Sequence, residues 1–139
     1  MTVFGCMRAH PTAAGPDDSL LMAIRLMDTY WLRELPVVDG DVRLLGWLTA
    51  DDVSAALRSG LGPATALGAA MRSVCALDET DSAEAAWERL TSGSEASLPV
   101  TADGRLVGTV SRVDILLARL EVLATLPEPV SASRLENTP

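Results

Sequence analysis

No lysine occurs in this 139-residue chain; all 11 basic residues are arginine. That excludes a phosphate-binding loop of the Gly-x-x-x-x-Gly-Lys type, whose lysine reaches the terminal phosphates. The arginines face 19 acidic residues, for a formal charge of −8. A surface of that sign repels polyanions at long range and disfavours general nucleic-acid binding. Local capture of a phosphate by a few arginines and backbone N–H groups stays open. Cysteine is scarce, Cys6 and Cys75 only, and His10 is the single histidine. These residues form neither a metal-ligand spacing nor a disulfide framework, and nothing in the sequence orients a base beside a thiol nucleophile. No run approaches about 18 apolar residues, so no spanning helix is expected. Met1 to Met7 lacks the basic and apolar regions of a secretory signal. A reduced, cytoplasmic protein with no metal, no membrane partner and no nucleic-acid partner is the expectation.

What the chain does have is a repeat. Leu35-Pro36-Val37-Val38-Asp39, a short turn, and Leu44 to Val53 recur as Leu98-Pro99-Val100, a turn, and Leu106 to Ile115. Both copies run from Leu-Pro-Val through a turn into Gly-x-x-[Thr/Ser]-x-x-Asp. Physically this is a β-hairpin entering a helix. Val37-Val38 pairs with Leu44 to Leu48, Asp39-Gly40-Asp41 and Ala102-Asp103-Gly104 are the turns, and glycine is expected to supply positive φ there. Pro36 and Pro99 stand at strand starts, where a missing N–H costs little. Thr49 and Ser111 fall at strand exits as N-caps for helices over 51–59 and 112–124. Asp52 and Asp114 fall in the first turns, where the helix dipole favours a carboxylate.

The duplication extends upstream. Asp17-Asp18-Ser19 opens a helix with Leu20, Ala23, Ile24, Met27 and Tyr30-Trp31 on its apolar face. Asp81-Ser82 opens its counterpart with Ala83, Ala86, Trp87 and Leu90, and Asp81 and Glu84 have capping-box spacing. Cys6-Met7-Arg8 is echoed by Ala70-Met71-Arg72, so each half begins with Met-Arg. Val74-Cys75-Ala76-Leu77 reads as a short lead-in strand. Trp31, Trp47 and Trp87 are expected in core or interface packing; Trp47, beside Thr49, is also a candidate to line a cleft. The resulting divisions are 1–62, 63–125, and a Pro-containing polar tail, 126–139, expected to bury little and to be flexible.

The repeated unit resembles the CBS motif, and the two copies together resemble a CBS pair or Bateman module. The resemblance covers about residues 5 to 120. It implies an α/β (α+β) fold of tandem β-α-β-β-α motifs packed as a pseudo-twofold pair. It also implies clefts between the motifs that take AMP, ADP, ATP or S-adenosylmethionine as a regulatory ligand, with no cofactor required. Carried over residue by residue, Asp52 and Asp114 accept the ribose hydroxyls, and a carboxylate has two oxygens for a vicinal diol. Thr49 and Ser111 meet phosphate, and Arg112 is its counter-charge. Because Ala50 stands at the equivalent position in the first copy, the clefts are expected to be unequal. Adenine is expected near Pro36-Val37, Pro99-Val100, Thr12-Ala13 and Cys75-Ala76.

The functional expectation is a stand-alone regulatory, energy-sensing module, not an enzyme, that signals to an effector protein. A homodimer is expected through helix positions such as Leu20, Ile24, Met27, Leu116 and Leu120. The alternative is a ligand-free dimerisation or protein-interaction module with vestigial clefts.

Overall fold

The computed structural model describes residues 1–125, and the expected tail lies outside them. Among the described residues, six strands and four α-helices follow one another: β1 (Arg8–Ala9), α1 (Leu20–Tyr30), β2 (Glu34–Val38), β3 (Leu44–Thr49), α2 (Ala50–Arg58), β4 (Leu77–Asp78), α3 (Ala83–Ser92), β5 (Ser97–Ala102), β6 (Arg105–Ser111) and α4 (Arg112–Ala124). Strands β1, β6, β5 and β4 form one sheet in that order, and β2 and β3 form a second.

The expected helix starts are present. Ser19 and Ser82 cap α1 and α3 by accepting the backbone N–H of Met22 and Ala85. The carboxylate of Asp81 instead accepts from the backbone of Asp78, so the Asp81–Glu84 box expected at α3 does not form. The Val74 to Leu77 strand is displaced too, to Leu77–Asp78, where Leu77 pairs in parallel with Val100. In the first half Ala14 pairs in parallel with Val37 in the same way.

The hairpin turns differ. Asp103 and Gly104 both have positive φ, the two-residue turn that matches strand twist. In the first turn positive φ falls on Val42 rather than Gly40. There the Asp39 carboxylate organises the chain by accepting from the backbone of Asp41 and Arg43. The Val42 carbonyl accepts from Leu106 N–H and Leu44 N–H donates to the Gly104 carbonyl, so pairing with the other hairpin holds a β-branched residue in this conformation.

Two hydrophobic cores result. Leu20, Ala23, Met27, Leu35, Val37, Leu48 and Val53 build the first; Leu77, Ala86, Leu90, Leu98, Val100, Val110 and Ile115 build the second. Each borrows a residue across the repeat boundary. Val3, fully buried, belongs to the second core, and Leu67, fully buried, to the first. Backbone bonds secure the exchange, from Val3 to Asp81 (2.8 Å) and from Leu67 to Asp18 (2.7 Å). The two cores therefore interleave across the boundary between the copies.

Leu20 and Met27 are core, whereas Ile24, Leu116 and Leu120 remain exposed. Of the core or interface packing expected of Trp31, packing in a core of this chain does not occur. α1 ends at Tyr30, Trp31 takes the left-handed conformation of a C-terminal cap, and its side chain is 93% exposed. Trp87 packs partly against the second core, with Arg119 5.8 Å from its ring centroid. No helix of the described residues is long and apolar enough to cross a membrane.

Candidate functional site

The two Gly-x-x-[Thr/Ser]-x-x-Asp junctions become two reciprocal capping boxes. At the first, the Thr49 hydroxyl accepts from Asp52 N–H (3.1 Å), and an Asp52 oxygen accepts from Thr49 N–H (2.9 Å). At the second, Ser111 accepts from Asp114 N–H (3.2 Å), and Asp114 accepts from Ser111 N–H (2.9 Å). Loss of either hydroxyl is expected to cost about 1 kcal/mol. Urea denaturation of Thr49→Ala and Ser111→Ala checks this, and no change in either would remove the caps from the account of helix starts.

A guanidinium occupies each aspartate from the lead-in at the opposite side of the repeat. Arg8 donates from Nε to Asp114 Oδ1 at 2.8 Å. Arg72 grips Asp52 from Nη2 at 2.6 Å and from Nε at 3.0 Å, and reaches Glu95 at 3.2 Å. The preceding methionines pack against the repeated glycines, Met7 at Gly108 and Met71 at Gly46. The Met-Arg repeat thus has a common structural role: methionine seats the lead-in on a glycine, and arginine reaches the junction carboxylate. Sequence reasoning noted the pair without assigning either arginine to the site; its recurrence in register was the available signal.

Burial pushes the Asp52 carboxyl up, but hydrogen bonds from Arg72 and from the backbone and hydroxyl of Thr49 outweigh it and hold its pKa below the ordinary 3.8. The resulting stability is fully present above that value and is lost as pH falls through the lower folded-state pKa. The stability gap between wild type and Asp52→Asn should therefore narrow in acid titrations below about pH 3.8. A gap independent of pH would show that the hydrogen bonds from Arg72 and Thr49 do not stabilise the ionised carboxyl over its unfolded state.

The remaining predicted residues divide. Val37 and Val100 lie in the two cores, away from the junctions. Pro36 and Pro99 are buried on the other sheet face, directly across from Trp47 and Thr109. Arg112 is the exposed first residue of α4. Ala13 lines a cavity of about 620 Å³ with Met7, Ala9, Pro11, Leu106 and Val107, while Thr12 is partly exposed in the same lead-in. The Cys75 and Ala76 carbonyls accept from Arg89 of α3.

Trp47 is fully buried yet belongs to neither core. Its backbone pairs with Arg72, and its indole N–H donates to Glu34. The other Glu34 oxygen accepts from Ser97 N–H at 3.0 Å, linking the two halves. Burial raises the Glu34 carboxyl above its usual range despite these donors. Among the described residues no group of three or more His, Cys, Asp or Glu is arranged to hold a metal ion.

Comparison with known proteins agrees with this geometry. The CBS domain family matches residues 3–59 and again 67–121. An acetoin utilization protein (AcuB, so assigned) from Vibrio cholerae superposes with a TM-score of 0.83 at 26% identity, over 93% of this chain and 98% of that one. CBSX2 in complex with AMP superposes at 0.79 with 25% identity, over 88% and 98%. Hypoxic Response Protein I, with two coordinated zinc ions, superposes at 0.77 with 31% identity, over 84% and 98%. The chain is also 33% identical over 105 residues to an inosine-5'-monophosphate dehydrogenase from Methanocaldococcus jannaschii, 75% of this chain but only 21% of that enzyme. With two tandem matches spanning most of its length, and a fold that superposes on CBS-pair structures, this chain belongs to the CBS domain family.

Proposed function

We propose that this CBS pair is a regulatory module that binds an adenosine-containing ligand, AMP, ADP, ATP or S-adenosylmethionine, between its motifs and passes the state of that site to a partner protein. The observation that carries the reading is the repeated junction itself, a hydroxyl and a carboxylate at a helix start with an arginine in reach, twice in one chain. The AMP complex of CBSX2 and the complex of the MJ0100 CBS pair with methylthioadenosine and S-adenosylmethionine, the latter a likeness of fold, support the ligand class. Helix faces that leave Leu21, Ile24, Val113, Leu116, Leu117 and Leu120 exposed support a second copy of the chain as one partner. Light scattering at micromolar concentration is expected to give the mass of a dimer. Binding and signalling, not catalysis, is the activity, in the cytoplasm.

A thermal-shift panel with AMP, ADP, ATP, S-adenosylmethionine and guanine analogues tests the ligand. At about 100 times its Kd a ligand adds about 2.7 kcal/mol to the folded state, several degrees for a chain of this size. The shift should be confined to adenine compounds and absent in at least one of Asp52→Ala and Asp114→Ala, each read against its own unliganded midpoint. One observation favours a second reading, a ligand-free interaction module: each junction aspartate is already paired with the chain's own arginine. No shift with any compound would make that the better account.

A further inference from the structure

Resting on the ligand-binding reading, we infer that the chain fills one of its two clefts with its own side chains. The cleft at Asp52 is held shut by Trp47, Glu34 and Arg72, so that a single anionic adenosine ligand binds per chain, at the Asp114 junction, where Arg8 leaves the carboxylate and turns to the phosphate. The two copies can be compared position by position because their hairpins keep the same register. Pro36 lies across from Trp47 where Pro99 lies across from Thr109, and Glu34 across from Thr49 where Ser97 lies across from Ser111. The copies therefore differ at the residues on the junction face. At the first junction the largest side chain in the repertoire is fully buried outside both cores and tied by its indole to Glu34. At the second, the same place holds a threonine, partly exposed.

Charge separates them in the same direction. Around Asp52, one guanidinium serves two carboxylates, Asp52 and Glu95, and a third, Glu34, has only the Trp47 indole and the Ser97 N–H as donors. A phosphate entering there meets uncompensated negative charge. Around Asp114 lie Arg8, the Ser111 hydroxyl and Arg112 at the start of α4, while Glu34, bonded to the Ser97 backbone, stands on the seam between the two junctions.

The two arginines are also held differently. Arg72 is clasped by two carboxylates through three of its nitrogens. Arg8 is 71% exposed and held by a single bond from Nε, while Asp114 itself is buried. Turning Arg8 outward frees Oδ1 for a ribose hydroxyl, and the displaced guanidinium then has the ligand's phosphate as its partner. In the exchange the guanidinium keeps an anionic partner and the carboxylate keeps hydrogen-bond donors, the ribose hydroxyl and the Ser111 N–H.

Titration calorimetry of the full chain with AMP and with adenosine tests the inference. One site per chain is expected, with AMP bound about tenfold or more tighter than adenosine, as a charge-assisted contact to phosphate requires. Thr109→Trp, which gives the second junction the residue of the first, should weaken AMP about tenfold or more while far-UV circular dichroism stays native. Should that variant fail to fold, Arg8→Ala supplies the independent readout, the AMP-to-adenosine ratio falling toward one. Two sites per chain, or an AMP-to-adenosine ratio unchanged in Arg8→Ala, would overturn this assignment and leave ligand binding intact. Absence of binding by every adenosine compound would overturn the proposed function and this assignment together.

Discussion

Trp47→Ala is expected to cost about 3–5 kcal/mol, the range for truncating a buried large aromatic. Trp47 is fully buried and packs in neither helix-covered core, so its volume fills the seam between the two halves. Truncation also takes the indole donor from Glu34, a carboxylate whose burial already raises its pKa and which bridges to Ser97. The loss is thus a cavity plus a poorly solvated acceptor with one partner fewer. Trp47→Phe separates the two, keeping most of the ring and removing only the N–H, and should cost about 1–2 kcal/mol. Denaturant midpoints at constant m-value measure both. Thr109→Ala at the equivalent position should be nearly neutral, since the threonine is partly exposed. A Trp47→Ala loss below about 1 kcal/mol would mean that the halves close over the gap, against the rigid packing of protein interiors.

The contrast between Trp47 and Thr109 shows how far the sequence could be read. Elements set by local chemistry were legible. Thr49 and Ser111 cap their helices as expected, α1 and α3 begin where Ser19 and Ser82 were read to open them, and α4 runs from Arg112 to Ala124 as its pattern required. These features depend on residues within a turn of one another, and the duplication let each half check the other. Features set by distant partners were not legible. Trp31 has helical spacing but follows the last residue of α1, where the chain turns through a left-handed residue and carries the side chain into solvent. Val42 takes positive φ because pairing with the second hairpin holds it, and glycine content alone pointed to Gly40.

The junctions divide along the same line. Thr49, Asp52, Ser111 and Asp114 were found because their spacing is local. Arg8 is 106 positions from Asp114 and Arg72 is 20 from Asp52, so no periodicity connects them. The exchange of lead-ins that makes these contacts also places Val3 and Leu67 in opposite cores. Only the repetition of Met-Arg hinted that these residues share a task. The side chains of Val37 and Val100, residues expected near adenine, alternate onto the helix-covered face, and their proline neighbours face the junction.

Gly108→Ala tests whether that exchange is as tightly built as the contacts indicate. A β-carbon at Gly108 would lie 2.6 Å from the Met7 sulfur and 2.7 Å from the Arg8 carbonyl oxygen. The sulfur ends a flexible side chain and can move. The carbonyl belongs to β1, which pairs with β6 at Arg8–Thr109 and Ala9–Gly108, so relief requires parting those strands. At Gly46 the equivalent carbon meets the Met71 sulfur at 2.6 Å, but the nearest backbone atom, the Arg72 oxygen, stands off at 3.2 Å. Overpacking at Gly108 should therefore cost about 1–3 kcal/mol or more, and Gly46→Ala distinctly less, because Met71 can yield. The two also separate by function. Displacing β1 moves Arg8 away from Asp114, so Gly108→Ala should alter adenosine-ligand binding along with the denaturation midpoint, while Gly46→Ala shifts the midpoint alone. Equal destabilisation by the two would mean that the lead-in strands slide freely on their glycines. The Met-Arg pairs would then be mere covering for the junctions, without the precision to hold a guanidinium on a carboxylate.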